Sequence, residues 1–129
     1  MDSDTRRSRL DHVTQKIIGC VHVVSNGLGS GFLEKVYENS LGIELRLVGL
    51  QVAQQHRLEV SYRDIVVGDY IADLLVEDAV LVEVKAIRTL EETHAAQCMN
   101  YLKATGLQVC LLVNFGTPKA TIKRVVRGF

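Results

Sequence analysis

Several things are scarce in this sequence, and each scarcity narrows what the chain can be. It has one proline, Pro118, and neither repeats nor low-complexity tracts, so nothing marks a linker. Its 129 residues match the size of one domain, and 47% hydrophobic residues suffice for one core. A single domain over residues 1–129 is expected. The chain also lacks net charge, with 15 basic residues against 15 acidic ones, so no overall field draws it onto a polyanion. Any nucleic-acid contact must come from a local patch. Charges break every apolar stretch well before the roughly 18 residues a membrane helix needs, and MDSDTRRSRL holds no signal-peptide apolar segment. The expectation is a cytoplasmic protein without membrane contact.

Cysteine is nearly as scarce. Cys20, Cys98 and Cys110 are odd in number, far apart and set in apolar surroundings without a C-x-x-C pair, so they read as reduced core residues. His12, His22, His56 and His94 lie in no H-E-x-x-H or paired-cysteine context, which leaves a zinc site without support. A metal here would have to be held by oxygen.

What the sequence does contain is clear periodicity. Leu10, Val13, Thr14, Ile17, Val21 and Val24 recur at helical spacing, with a stop expected at Ser25-Asn26-Gly27. After a glycine-rich loop, Leu33, Val36, Tyr37, Leu41, Leu45 and Val48 suggest a second apolar helix stripe ending at Gly49. From Gln51 the period becomes two. Leu58, Val60 and Tyr62 alternate with polar residues, Arg63-Asp64 offers a turn, and strand chemistry runs through DYIADLLV and VLVEVKAI around Glu77-Asp78-Ala79. Thr89 with Glu92 predicts a capping box, Gly106 closes the helix that follows, VCLLVNF suits a doubly buried strand, and a basic strand covers about Ala120–Val126. A right-handed crossover would lay VCLLVNF parallel to VLVEVKAI. The expected fold class is α/β, a mixed sheet flanked by helices.

The chemistry sits in one strand. Val80, Val82, Val84 and Ala86 share a face, which leaves Leu81, Glu83 and Lys85 on the other. With a three-residue turn, Val76 falls opposite Val80 and Asp73 opposite Glu83, their Cβ atoms about 4.5–5.5 Å apart. Two carboxylates so close repel unless a cation lies between them, and hard cations such as Mg2+ or Mn2+ bind one or two carboxylates together with phosphate oxygens. Lys85 could orient an attacking water. The plainer alternative is a wet strand face on which Asp73 and Lys85 form a salt bridge. On the next helix His94, Gln97 and Tyr101 share a polar face, while Ala95, Met99 and Leu102 form the apolar side; His94 fits a helix start better than a ligand.

These residues resemble the PD-(D/E)xK nuclease superfamily, through Asp73, then Glu83-Val84-Lys85, in an α-β-β-β-α-β order. Gln97-Cys98-Met99-Asn100-Tyr101 is similar to the Q-x-x-x-Y helix motif of RecB-type exonucleases, and Gly31-Phe32-Leu33-Glu34-Lys35-Val36-Tyr37 to the G-x-x-E-x-x-Y signature of the GxxExxY proteins of that superfamily. Ala72 stands where the superfamily often has proline. The resemblance implies a restriction-endonuclease-like core and a metal-dependent nuclease. Asp73, Glu83 and Glu34 would ligate Mg2+ or Mn2+, Lys85 would be the catalytic lysine, and Gln97 and Tyr101 would position substrate or ligands. It implies a nucleic-acid partner, with DNA favoured over RNA.

The NGLGSG stretch follows a predicted helix, whereas a dinucleotide-binding loop must follow a strand, so a flexible connection is the simpler reading. Candidate nucleic-acid contacts are Lys119, Lys123, Arg124 and Arg127 near the C-terminus, and Arg88 and Lys103 nearer the site. With only 5% aromatics, backbone contact is favoured over base stacking. The rival reading is a catalytically silent binding or assembly module of the same fold. So small a domain offers little surface to grip a duplex, and a homo-oligomer or partner subunit would supply it.

Overall fold

The computed structural model describes residues 3–128. Helices α1 (Ser3–Leu28) and α2 (Glu34–Leu47) precede strands β1 (Val52–Tyr62), β2 (Ile65–Val76) and β3 (Val80–Lys85); then come helix α3 (Glu92–Thr105) and strands β4 (Val109–Asn114) and β5 (Thr121–Val126). The strands form one sheet in the order β1-β2-β3-β4-β5, with β3–β4 the parallel pair. This is the expected mixed α/β sheet. No described helix is long and apolar enough to cross a membrane.

Alternation along the strands divides the core into two layers. Val80, Val82 and Val84 pack with Ile17, Val21, Tyr37, Leu41 and Leu45 of α1 and α2, while Leu81, Cys110 and Leu112 pack with Cys98, Tyr101 and Leu102 of α3. The central strand β3 is therefore covered on both faces. Cys20, Cys98 and Cys110 are buried and free, as expected.

Four local expectations need correcting. Helix α1 begins at Ser3, where polar side chains gave no apolar stripe to read, and it passes through Ser25-Asn26-Gly27 to Leu28. Ser25 does not break it because its hydroxyl turns inward to accept the Ala120 N–H at 2.9 Å; the stop is Gly29, at φ 69° with its N–H on the Ser25 carbonyl. On α2 the buried stripe is Tyr37, Leu41 and Leu45, whereas Leu33, Val36 and Val48 are exposed, so the apolar residues span two faces. Helix α3 is capped by Glu91 rather than Thr89, in a capping box with His94, whose Nδ1 accepts the Glu91 N–H at 2.9 Å. The glycine-rich loop is held in place, because the Tyr37 hydroxyl donates to the Gly29 carbonyl at 2.7 Å and accepts the Phe32 N–H at 3.1 Å.

Candidate active site

The β2–β3 register is the one the three-residue turn predicts: Val76 pairs with Val80, Leu75 with Leu81 and Leu74 with Val82. Regular pairing ends there, and the next pair, Asp73 and Glu83, closes the gap with side chains. The Asp73 N–H donates to Glu83 Oε1 at 3.1 Å, and the Val84 N–H donates to Asp73 Oδ2 at 2.8 Å. Each carboxylate thus takes the place of a backbone acceptor on the neighbouring strand. Ala72 packs in the α3-side layer and Leu74 in the other although they are two residues apart, so the alternation of β2 slips at Asp73. That slip faces Gln55 of β1, which stands at φ 53°, where a residue with a Cβ rarely sits.

Electrostatics follows from this packing. Glu83 is buried, and burial first, then the Asp73 charge, push its carboxyl up to about 9 against the relief given by the Asp73 N–H and Lys85. Asp73 is also raised, chiefly by burial and then by Glu38, while the Val84 N–H is the main opposing influence. Each acid therefore opposes ionisation of the other. One oxygen of each carboxylate stays clear of the backbone: Glu83 Oε2, and Asp73 Oδ1 with only a 3.5 Å contact from Gln55 Nε2. Two hard oxygen donors that repel when both ionise fit a Mg2+- or Mn2+-type cation that also takes water and phosphate oxygens. Among the described residues, no three His, Cys, Asp or Glu side chains come together to hold a metal ion, so Glu34 does not complete a three-acid set with Asp73 and Glu83.

Helix α2 brings two more acids. Tyr37, stacked on Phe115 with ring centroids 4.7 Å apart, fixes the loop containing Gly31, at φ 114°, and so sets where the helix starts. Glu34 in the first turn lies close enough to the site for Lys85 to lower its pKa and for Asp73 and Glu38 to raise it, the largest cause of its net rise being withdrawal from water. Glu38 is 3% exposed; Lys35 and Gln54 reach its Oε2 at 3.0 and 2.9 Å, and Gln55 reaches its Oε1 at 2.8 Å. Gln55 therefore bridges Glu38 and Asp73. Sequence reasoning missed both residues: Glu38 could have been found as the acid four residues after Glu34, whereas Gln55 left no signal, because its backbone conformation is a tertiary property.

The end of β3 is pinned from β4. The Asn114 amide exchanges two hydrogen bonds with the Ile87 peptide, at 3.0 and 2.9 Å, and the Phe115 N–H donates to the Lys85 carbonyl at 2.8 Å. Gly116 permits this approach, since a Cβ there would lie 2.0 Å from the Ile87 carbonyl oxygen. Lys85 itself is half-buried, and its charge favours the ionised forms of Asp73 and Glu83.

On the other side stands α3. Tyr101 is buried in the apolar layer rather than on an open polar face, and its hydroxyl is pushed up to about 12 by burial and then by Glu83 and Asp73. Gln97 lines a groove with Tyr101 and makes no hydrogen bond to the carboxylates. The basic candidates are spread out. Lys103 lines the same groove, Arg88 and Lys119 are exposed beyond the ends of β3 and β4, and Lys123 and Arg124 alternate on β5, where Arg124 is paired with Asp11 at 2.8 Å. Arg127 lies apart, lining a cavity with Arg6 and Arg9.

No curated protein and no solved structure matches the chain. A family model described as the PD-(D/E)XK nuclease superfamily matches residues 11–125, which takes in both core layers but for Leu10, both acids and the lysine. With Asp73, Glu83 and Lys85 gathered on paired strands in a mixed five-stranded sheet, the chain belongs to the PD-(D/E)XK nuclease superfamily.

Proposed function

We propose that the protein is a metal-dependent nuclease that hydrolyses nucleic-acid phosphodiesters at Asp73, Glu83 and Lys85, with DNA as the favoured substrate. The observation that carries this reading is the reciprocal bonding of two acids, Glu83 buried and Asp73 partly so, to the β2–β3 backbone, which leaves one oxygen of each clear of it for a ligand. Nucleases of this superfamily generally use divalent metals. Asp73 and Glu83 would hold Mg2+ or Mn2+, with Glu34 as a further acid. Bound there, the cation would neutralise phosphate charge and make a water easier to deprotonate.

The remaining chemistry belongs to the chain. Lys85 supplies a fixed positive charge beside the acids, orients the attacking water and offsets charge that builds on the phosphate. Gln55 ties Glu38 to Asp73 and so limits the rotamers open to that aspartate. Gln97 and Tyr101 position substrate from the α3 side. The protein would work in the cytoplasm, where its cysteines stay reduced, and a second copy or partner subunit would extend its grip on the substrate.

Labelled single- and double-stranded substrates test this. Wild type should cut one of them in Mg2+ or Mn2+ and stop in EDTA, and Lys85→Ala should be inactive while still binding metal. Balanced charge favours a second reading, a catalytically silent binding or assembly module of the same fold that works with a partner. Metal and nucleic-acid binding by wild type without cleavage of any substrate would establish that reading instead.

A further inference from the structure

A groove of about 750 Å3 runs between α3 and the β1–β2 hairpin, and it shares Tyr101 with the candidate active site. That volume is typical of a small-molecule site. Its lining includes one cation, Lys103, and one acid, Glu59, which cancel, so it does not suit a string of phosphates. Instead it offers side-chain amides, Gln97 and Asn100, each with both donor and acceptor atoms, together with the ring of Tyr70. Tyr70 is 49% exposed, and its ring lies 5.8 Å from that of Tyr101, tilted by 48°. Because Tyr101 is buried, it backs Tyr70 and fixes an aromatic platform at the groove wall.

Resting on the nuclease reading above, we propose that this groove takes an unpaired nucleobase, stacked on Tyr70 and bonded along its edge by Asn100 and Gln97, beside the phosphodiester at Asp73 and Glu83. Amide side chains pair with the donor and acceptor atoms of base edges, and stacking on an aromatic ring accepts any base. In a duplex both the base faces and the pairing edges are occupied, so the groove selects single-stranded nucleic acid. Tyr70 and Asn100 thereby become substrate-binding residues. The scarcity of aromatics matters less than their placement, since two of the four tyrosines meet here.

The test uses the full chain in calcium, with oligonucleotides carrying the fluorescent base 2-aminopurine and a gel to verify that they stay intact. DNA and RNA single strands of one sequence and the corresponding DNA duplex form the three arms. Stacking quenches 2-aminopurine, so at least one single strand should bind with quenching while the duplex does not. Tyr70→Ala should weaken that binding by about fivefold or more, Tyr70→Phe should restore it, and Asn100→Ala should weaken it without abolishing quenching. Equal binding by wild type and Tyr70→Ala, duplex binding as tight as single-strand binding, or no binding to either single strand would each overturn the proposal. Cleavage is read separately. A protein that stacks the base but never cuts retains the groove and loses the nuclease reading, whereas one that cuts duplex with Tyr70→Ala unaffected retains the nuclease and loses the groove.

Discussion

In metal-free buffer, raising the pH should destabilise the wild-type protein, and Glu83→Gln should remove most of that effect. Glu83 titrates at about 9 in the folded chain against an ordinary value of 4.5, so between those limits the folded state holds a proton that the unfolded state has released. The stability from this group is complete below about 4.5 and is lost as pH rises towards 9. The limiting slope is about 1.4 kcal/mol per pH unit, which makes about 4 kcal/mol the ceiling between roughly pH 5.5 and 8.5. For a domain of this size that corresponds to about 15 °C in melting temperature, and half of it would be easily measured. Glutamine stays neutral and retains an oxygen to accept the Asp73 N–H, so Glu83→Gln should melt higher than wild type at pH 8 in EDTA and converge with it near pH 5. Urea or thermal unfolding of both proteins across that range is the assay, and subtracting one curve from the other cancels what the two proteins share. Parallel curves would refute the reasoning, because they would mean that Glu83 ionises normally.

Adding Mn2+ or Mg2+ should reverse the sign, raising the wild-type melting temperature at pH 8 by an amount that grows with metal concentration, about 2.7 kcal/mol at a hundredfold excess over the dissociation constant. Asp73→Asn and Glu83→Gln should show a much smaller rise, and no rise in wild type at millimolar metal would count against the site. Gly116→Ala should cost more than about 2 kcal/mol, read by chemical denaturation, because the new Cβ meets the Ile87 backbone at 2.0 Å. Tyr37→Phe removes two hydrogen bonds from the Gly29–Phe32 loop and should cost about 1–3 kcal/mol in the same assay. It should also weaken metal binding if loop position sets Glu34.

Residue spacing exposed the β2–β3 register because both partners lie in one hairpin, where a single turn length fixes the alignment and puts Asp73 beside Glu83. The parallel β3–β4 pairing was legible for a similar reason, since a short helix between two apolar strands leaves few connections. Glu38 and Gln55 were not legible, because their meeting depends on how α2 settles against the sheet and on one residue at φ 53°. Helical spacing sets Tyr101 on one face of α3 with Gln97 but does not say that the sheet covers it, since spacing gives faces and not what packs on them. The basic candidates do not form one patch, and Lys123 and Arg124, neighbours on a strand, point apart.

The two acids also serve as mortar. With Asp73 and Glu83 replaced by alanine, the Asp73 and Val84 amides would each lose their acceptor in the middle of the sheet, at about 1–3 kcal/mol apiece. A descendant that stopped cutting would still be under pressure to keep an acceptor oxygen at both positions, acid or amide, simply to remain folded. Lys85 carries no such obligation, because its side chain makes no hydrogen bond or ion pair among the described residues. In a lineage drifting away from catalysis the lysine is free to go first, so its retention is better testimony of a working enzyme than a hydrogen-bonding side chain at the other two positions.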